Sequence, residues 1–451
     1  MSGQRIVVVG AGHVGLYAAL RLQKKLRRAI GTGQAEVIVV DPQPNMTYQP
    51  FLPEAAAGSI SPRHAVVPLR RELQRCRVVS GEVTRIIHAR KVAIVEPITG
   101  PALELAYDHI IVAPGSVSRT LPIPGLREHG IGFKTIGEAI YLRNHVLDRL
   151  DVAATTTDAA TRTRALSFVV VGGGYAGIEA LAEMEDMARN ALQYYKGLTV
   201  ADMRWVLVEA TTRVLPEVDR DMGAYTVRKL LERGLDIRLG TRLESCVDGN
   251  VVLSDGETFA ADTIVWTAGV RPAPMLNQTD LPRDDKGRLT CTATLQLVGV
   301  DGNLVEGAWS AGDCASVPDL SGEAGALCSP SAQHAVRQAK RLADNIVLVL
   351  RGRAPVPYRH QHVGSVASLG LHKGVAQVYG VKLTGLPAWF MHRTYHMSRI
   401  PSLNRKVRVV VDWTLALFTK REVVSLGQLQ HPKDSFTDVT PSVLPKERHH
   451  I

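Results

Sequence analysis

The sequence has few cysteines, and no two stand at a spacing that would let them act together. The five are Cys76, Cys246, Cys291, Cys314 and Cys328. No pair forms a C-x-x-C or C-x-x-x-x-C motif, so the sequence predicts neither a redox-active dithiol nor a metal site. Isolated cysteines of this kind are typically small, buried apolar side chains.

Long apolar segments are also absent. No run of about 18 apolar residues occurs, so no helix is predicted to cross a bilayer. The first strand, Arg5 to Val9, begins almost at the N-terminus, and we expect no secretory signal peptide. The net charge is +10, yet no nucleic-acid-binding motif accompanies it. We therefore expect no nucleic-acid partner, and the charge favours an anionic surface instead.

Two segments have the pattern G-x-G-x-x-G directly after a short apolar run. Each predicts a buried strand, a tight turn and a helix, and only glycine lets the backbone approach a pyrophosphate closely enough there. The glycines are Gly10, Gly12 and Gly15 in the first segment and Gly172, Gly174 and Gly177 in the second. Two such fingerprints predict two dinucleotides on one chain, and hydride transfer is the simplest reaction between them.

An acidic residue ends the second strand of each unit. Asp41 follows the apolar run 37–40, and Glu209 follows the run 205–208. A carboxylate at this position can accept hydrogen bonds from ribose hydroxyls, and a solvated strand-end acid is the alternative interpretation. Glu209 also favours NADH over NADPH because it repels a 2′-phosphate, whereas the nearby Arg213 leaves NADPH open.

Further strands end in small residues and glycine. Such ends follow one strand in each unit, at Ala113 and Gly115 in the first and at Ala268 and Gly269 in the second. A later strand ends in Gly312-Asp313, where the carboxylate can accept bonds from a sugar-alcohol chain, and a helix is predicted from about Ala332. The repeat predicts an α/β fold with two Rossmann-like dinucleotide-binding domains, one inserted in the other. The stretch 151–164, rich in Ala and Thr, is predicted to be an exposed loop.

The C-terminal region is basic and aromatic. Residues 386–426 contain seven Lys or Arg against two acidic residues. A helix over 404–419 would place one set of apolar side chains on one face: Val407, Val410, Val411, Trp413, Leu417 and Phe418. Asn404, Arg405, Arg408 and Asp412 would form the other face, and Val409 and Leu415 fit neither. Such a helix is too short to span a bilayer but suits the membrane interface. Packing on the protein's own core or on a dimer partner is the alternative.

Together these motifs resemble the two-dinucleotide flavoprotein disulfide reductases, and specifically the type II NADH dehydrogenases, up to about residue 430. The resemblance implies FAD and NADH as cofactors. It assigns FAD adenosine and pyrophosphate to Gly10, Gly12, Gly15 and Asp41, the adenine to Val83 and the ribityl chain to Asp313. It assigns NADH to Gly172, Gly174, Gly177 and Glu209. The cofactor-binding set further includes Ala113, Gly115, Ala268, Gly269, Gly312 and Ala332.

Three residues carry the predicted catalysis. Glu179 matches the family glutamate near the nicotinamide and flavin; the alternative is an acid that complements the helix dipole. Gln333 matches the Ala-Gln helix start at the quinone-side face of the flavin. The family has a second glutamine where this chain has Arg337, and a cation there can favour anionic reduced flavin or select another acceptor.

The resemblance implies an FAD domain of residues 1–120 and 300–385, an NADH domain of 121–299, and a C-terminal membrane-contact segment of 386–451. The expected function is non-proton-pumping transfer of electrons from NADH through FAD to a membrane quinone of the respiratory chain. We expect a homodimer, attached peripherally to the cytoplasmic side of the cell membrane. A soluble ferredoxin-type reductase and a low-turnover redox-sensing module are the alternatives.

Overall fold

The computed structural model describes residues 3–360, 364–416 and 418–425. They form an α/β fold built around two large sheets, as predicted, followed by a smaller C-terminal unit. The strands of residues 3–118 are β1 (Gln4–Val9), β2 (Ala35–Asp41), β3 (Asn45–Thr47), β4 (Val66–Pro68), β5 (Arg77–Ile87), β6 (Val92–Pro97), β7 (Leu103–Ala106), β8 (His109–Val112) and β9 (Ser116–Ser118). The helices of this part are α1 (His13–Lys25), α2 (Arg27–Gly31), α3 (Leu52–Ala56) and α4 (Leu69–Glu72).

The second part of the chain carries its own parallel sheet. Its strands are β10 (Gly130–Gly132), β11 (Ser167–Val171), β12 (Arg204–Glu209), β13 (Asp236–Leu239), β14 (Leu243–Ser245), β15 (Asn250–Leu253), β16 (Thr258–Ala260), β17 (Thr263–Trp266) and β18 (Val270–Pro272). Its helices are α5 (Leu126–His129), α6 (Ile136–Thr155), α7 (Ala159–Ala165), α8 (Tyr175–Ala191) and α9 (Arg220–Leu231).

The remaining elements complete the first sheet and form the C-terminal unit. The strands are β19 (Leu289–Thr290), β20 (Gln296–Val298), β21 (Leu304–Ser310), β22 (Ala315–Ser316), β23 (Gly364–Ser368), β24 (Gly374–Val378) and β25 (Val381–Thr384). The helices are α10 (Ala332–Val349), α11 (Gly385–Arg399) and α12 (Leu403–Leu415).

The two large sheets repeat one arrangement. The first has the order β20-β21-β8-β1-β2-β5-β6-β7, and the second has the order β10-β17-β11-β12-β13. In each, the strand before the glycine fingerprint, β1 or β11, pairs in parallel with the strand that ends in the acid. These central strands are runs of valine and isoleucine because helices cover both faces of a parallel sheet. Since β21 joins the first sheet from beyond residue 300, the second sheet is an insertion.

The predicted loop over 151–164 is wrong. Helix α6 continues to Thr155, and α7 begins at Ala159 after three intervening residues. A capping box between Thr135 and Glu138 starts α6, and the Asp158 carboxylate accepts a hydrogen bond from the Thr161 amide to start α7. Alanine is the strongest helix former, so its abundance here indicates helix rather than loop.

The C-terminal unit is a three-stranded antiparallel sheet with two helices. Helix α11 packs on β23 and β24 through Ala388, Val366 and Ala376. The predicted boundary at residue 386 therefore falls in the first turn of α11, inside a unit that packs together. No helix within the described ranges combines the length and apolar content needed to cross a bilayer.

Helix α12 is shorter than predicted. Val409, which fitted neither predicted face, is fully buried, and Asp412 of the predicted polar face is hydrogen-bonded to His64 and to the Ser61 amide. Val407 and Val411 of the predicted apolar face are exposed, by 56% and 49%. The helix thus packs on the protein through Val409, Asp412 and Trp413 and exposes its other valines. Leu417 lies outside the described residues.

Candidate dinucleotide and acceptor site

The first glycine fingerprint forms an open cradle at the end of β1. Gly10 has φ +86°, and a Cβ added there would lie 2.5 Å from the Ala113 carbonyl oxygen. A Cβ on Gly15 would collide with the Gly10 carbonyl oxygen, whereas a Cβ on Gly12 would meet no atom within 4 Å. Glycine is therefore required for chain packing at two positions, and the third faces space that a ligand can fill.

The second fingerprint repeats this geometry at the end of β11. Gly172 has φ +112°, and a Cβ there would lie 2.7 Å from Thr267 Oγ1. Gly177 packs against Gly172 in the same way, and Gly174 faces open space. Neither α1 nor α8 has a side-chain cap within the described chain, so their first N–H groups are free to bind a pyrophosphate. The residues present fit two dinucleotides.

Each acidic strand tip is hydrogen-bonded to its own fingerprint. Asp41 Oδ2 accepts from the Ala11 amide at 2.6 Å, and Glu209 Oε2 accepts from the Gly173 amide at 2.6 Å. Burial raises the pKa of Asp41, although hydrogen bonds from the Ala11 and Gln43 amides lower it. These contacts hold each carboxylate beside the cradle, which is the placement that ribose recognition requires.

Arg213 is occupied by the backbone. Its Nη2 donates to the carbonyl oxygens of Pro216 and Val218, each at 2.6 Å. The guanidinium therefore stabilises the turn after β12 and is committed to that turn. In the sequence, Arg213 was the reason to leave NADPH open as a coenzyme, and its bonds to the backbone remove that reason.

The other predicted cofactor-binding residues lie near the strand ends. Gly115 and Gly269 have positive φ, and a Cβ on either would meet open space. Gly312 has φ +75°, and its amide donates to Gln338 Oε1 at 2.8 Å. Asp313 Oδ2 accepts from Ser116 Oγ at 2.7 Å, and that hydroxyl accepts from Lys134 Nζ at 2.6 Å. Val83 lies on β5, and Ala113 follows β8. Ala268 follows β17, and Ala332 is the first residue of α10.

A cavity of about 450 Å³ brings the predicted catalytic residues together. Glu179, Gln333 and Arg337 all line it, as do Asp313, Ala332 and Gly269. Asp41 and Glu209, the two predicted ribose acceptors, are not among the residues that line it. The cavity lies between the two cradles, which is where the reactive ends of two bound dinucleotides would meet.

Glu179 is buried and paired. It is 6% exposed, and its Oε1 accepts from the Ser368 amide at 2.9 Å and lies 3.0 Å from His392 Nε2. Burial lowers the pKa of His392, but Glu179 and two further carboxylates together raise it above the ordinary value. The sequence gives no sign of His392, because 213 positions separate it from Glu179 (392 minus 179).

The start of α10 forms the opposite wall. Gln333 Nε2 donates to the Gly364 carbonyl oxygen at 3.0 Å. Arg337 Nη1 donates to His360 Nδ1 at 2.6 Å, so this nitrogen of His360 carries no proton. The Tyr358 hydroxyl contacts His334 Nδ1 at 3.0 Å. Arg337 thus stands in a buried network of imidazoles, which holds its charge at the cavity wall.

Two histidines that line this cavity, His13 and His396, were missed by sequence reasoning. Burial lowers the pKa of His13 to about 4, against an opposing effect of Asp313. His13 Nε2 is buried and has no hydrogen-bond partner among the described residues. The signal that could have found it is its place inside the first fingerprint, directly after Gly12.

All five cysteines are free thiols. Burial raises the pKa of Cys314 and of Cys328 to about 11, so both are protonated at neutral pH. A protonated thiol is a poor nucleophile.

Comparison with known proteins identifies the family. The Pyridine nucleotide-disulphide oxidoreductase family matches residues 4–339. A type II NADH:quinone oxidoreductase of Staphylococcus aureus is 30% identical over 397 residues, covering 86% of this chain and 93% of the relative. The chain belongs to the type II NADH:quinone oxidoreductases.

Other members of the family are similar over even more of this chain. The type II NADH:quinone oxidoreductase Ndh of Mycobacterium tuberculosis is 27% identical over 441 residues, covering 94% of this chain and 89% of the relative. The solved structure of NDH2 from Plasmodium falciparum in complex with NADH has the same fold. Its TM-score is 0.84 at 16% identity, over 93% of this chain and 99% of that one. Membership favours NADH-to-quinone oxidoreduction over the ferredoxin-type and redox-sensing alternatives.

Proposed function

We propose that this protein transfers a hydride from NADH to FAD and passes the electrons to a membrane quinone, without pumping protons. The observation that carries this proposal is a cavity between two dinucleotide cradles, lined by Glu179, Gln333 and Arg337. When bound, FAD supplies the chemistry of accepting a hydride and returning two electrons to a second substrate. The protein supplies position and charge.

The FAD domain of residues 1–120 and 300–385 would hold the flavin through the first cradle. Gly12 and the free N-terminus of α1 would face the pyrophosphate, with Asp41 at the ribose. Asp313, oriented by Ser116, would accept a hydrogen bond from the ribityl chain. Val83 would flank the adenine.

The NADH domain of residues 121–299 would hold NADH through the second cradle. Gly174 would face the pyrophosphate, and Glu209 would accept from the ribose hydroxyls and repel a 2′-phosphate. Support for NADH over NADPH is the engagement of Arg213 by two backbone carbonyl oxygens. Glu179 would face the nicotinamide from the first turns of α8.

The acceptor would enter from the side of α10 and the C-terminal helices. Gln333 and Arg337 would bind a carbonyl oxygen of the quinone, and the fixed charge of Arg337 would stabilise negative charge as it develops there. We propose peripheral attachment to the cytoplasmic face of the membrane through residues 386–451. The exposed valines of α12 support it, as do five basic residues of 386–426: Arg399, Arg405, Lys406, Arg408 and Lys420. The other two, Arg393 and Arg421, are held in buried ion pairs. A homodimer is a further proposal, tested by light scattering of the purified protein.

The test is steady-state oxidation of NADH with a menaquinone or ubiquinone analogue, with ferricyanide and oxygen as reference acceptors. The purified protein should be yellow and should release FAD on denaturation. Arg337→Gln should change the rate with quinone at least several-fold and leave flavin reduction by NADH unchanged. Lys340→Gln, which removes one charge from the exposed side of the same helix, is the matched control. Colourless folded protein, or NADH oxidation without any quinone reduction, would contradict the proposal.

A further inference from the structure

Three histidines form a row that reaches the cavity, and the proposed function gives them no role. His392 and His396 stand one turn apart on α11, with ring centroids 4.6 Å apart. His13 stands at the start of α1. The ring of Tyr48 lies between, with its centroid 6.3 Å from that of His396 and 5.8 Å from that of His13. The row runs from the buried interior to the cavity, which His13, Tyr48 and His396 line.

The inner end of the row favours the protonated form. His392 is 1% exposed, and its Nε2 lies 3.0 Å from the Glu179 carboxylate. Glu54 of α3 and Glu183 of α8 also act on it, and together with Glu179 they raise the pKa of His392 despite its burial. Its Nδ1 has no hydrogen-bond partner among the described residues. An imidazolium balanced by one close carboxylate and placed beside a second imidazole is a proton store.

The outer end of the row is neutral. Burial lowers the pKa of His396 well below its ordinary value, and electrostatic interactions with His392, His13 and Arg399 lower it further. Its ring also packs edge-on against Tyr395 and contacts the Tyr48 hydroxyl. A neutral imidazole has one N–H and one lone pair, so it can take up a proton on one nitrogen while releasing the proton of the other.

Reduction of a quinone by NADH consumes one proton in addition to the hydride. NADH, one proton and a quinone give NAD⁺ and a hydroquinone: the hydride carries two electrons and one proton, and both carbonyls become hydroxyls. We propose that His396 releases the second proton to an oxygen of the acceptor in the cavity, and that His392, held against Glu179, replaces it. In this step an N–H bond of His396 breaks as an O–H bond forms. The other ring nitrogen of His396 gains the proton that His392 loses. A proton from solvent in the cavity later returns to His392 through His396, which lines the cavity.

This inference rests on the proposed function, and ferricyanide separates the two. Ferricyanide takes one electron and no proton, so it needs the flavin but not the histidines. We expect His396→Gln to lower quinone reduction at least ten-fold and to leave ferricyanide reduction, and flavin reduction by NADH, within about two-fold. His372→Gln, an exposed histidine that contacts only the outer side of Trp389 among the described rings, is the matched control. His396 has no ion pair among the described residues, so its variant leaves no buried charge unpaired.

The pH profile is the second readout. Wild-type quinone reduction should fall as pH rises through the raised pKa of His392, and His392→Gln should remove this limb while leaving the ferricyanide profile unchanged. A readout without turnover is ring-nitrogen NMR of histidine-labelled protein: His392 should titrate above the ordinary range and His396 below it. Equal loss of both activities in His396→Gln, or an unchanged quinone rate and pH profile, would overturn the inference. Wild-type protein that reduces ferricyanide but no quinone would instead overturn the proposed function.

Discussion

The indole of Trp413 on α12 donates its Nε1 hydrogen to Glu54 Oε2 of α3 at 2.8 Å. Glu54 is 1% exposed and also pairs with Arg393 of α11 at 3.2 Å. The Arg393 guanidinium in turn lies 3.9 Å above the ring of Trp389 and 4.9 Å from that of Trp413. The C-terminal helices are therefore fixed to the first domain by a buried charge pair between aromatic rings, and they do not form a detachable appendage.

The segment after α12 is attached in the same way. Arg421 lies 3.2 Å from both Glu183 and Asp186, and its Nη2 donates to Ser59 Oγ at 2.8 Å. Glu183 is 1% exposed. Removing the cation from such a pair strands a buried carboxylate, which costs about 3–5 kcal/mol.

We therefore predict that Arg421→Met lowers the free energy of unfolding by about 3 kcal/mol or more. Urea denaturation of the purified protein measures it. Lys420→Met removes a neighbouring charge from an exposed position and should change stability by less than about 0.5 kcal/mol. Truncation after Ser402 should likewise destabilise the whole protein, so loss of both activities in that truncation would not identify a membrane anchor. A stable Arg421→Met variant would show that the ion pairs contribute little.

Point substitutions on the outer face of α12 test membrane attachment without that damage. Val407→Glu combined with Val411→Glu places two negative charges on a face that is already exposed. Burying a valine contributes about 1.5–3 kcal/mol, and a charge near an anionic surface about 1 kcal/mol. Binding to vesicles with anionic lipid should weaken at least ten-fold, while ferricyanide reduction stays. Leu231→Glu combined with Val247→Glu, exposed residues of the second domain, is the control and should leave vesicle binding unchanged.

The parts of this structure that local sequence determines were predictable. A fingerprint such as Gly10 to Gly15 needs only its own strand and helix, and the strand-tip acids follow from the repeat of that unit. The packing of α12 on the first domain was not predictable, because periodicity cannot show that Asp412 has a partner in His64 there. For the same reason Glu179 was found and His392 was missed: a helical pattern does not reveal which buried carboxylate an imidazole will meet.

Coenzyme preference can be tested at Glu209, the last residue of β12, and at Arg213 in the turn that follows. Glu209→Ala should weaken NADH use and narrow the difference between NADH and NADPH, because it removes both the ribose acceptor and the repulsion of a 2′-phosphate. Arg213→Met should leave the ratio of kcat/KM for the two coenzymes unchanged. It should lower stability instead, because the carbonyl oxygens of Pro216 and Val218 lose their donor. A marked loss of NADPH use in Arg213→Met would show that this cation binds phosphate.

Turnover should not require any cysteine. The raised pKa values of Cys314 and Cys328 keep both thiols protonated at neutral pH. A protein with all five cysteines changed to Ala or Ser, where it folds, should retain its rate with quinone within a few-fold. Stopped-flow measurement of flavin reduction and reoxidation separates the two half-reactions. Slow reoxidation with normal reduction would indicate a thiol in the acceptor step, and Cys328, which precedes the cavity-lining residues 329–334, would be examined first.

Acid stability should reflect the neutral state in which His13 is buried. Its pKa is lowered from 6.5 to about 4, so below pH 6.5 the unfolded chain binds a proton that the folded chain does not. Stability is then lost as pH falls from about 6.5 toward 4, at about 1.36 kcal/mol per pH unit for this one group. His392 acts with the opposite sign. Its raised pKa in the folded protein adds stability at pH values below the ordinary histidine pKa, and this stability is lost as pH rises.

Between pH 7 and pH 5, the free energy of unfolding of the wild-type protein should therefore fall by about 2 kcal/mol more than that of His13→Gln, with His372→Gln as the control. Urea denaturation at the two pH values measures the difference, and equal losses in wild type and His13→Gln would show that His13 is solvated in the folded protein.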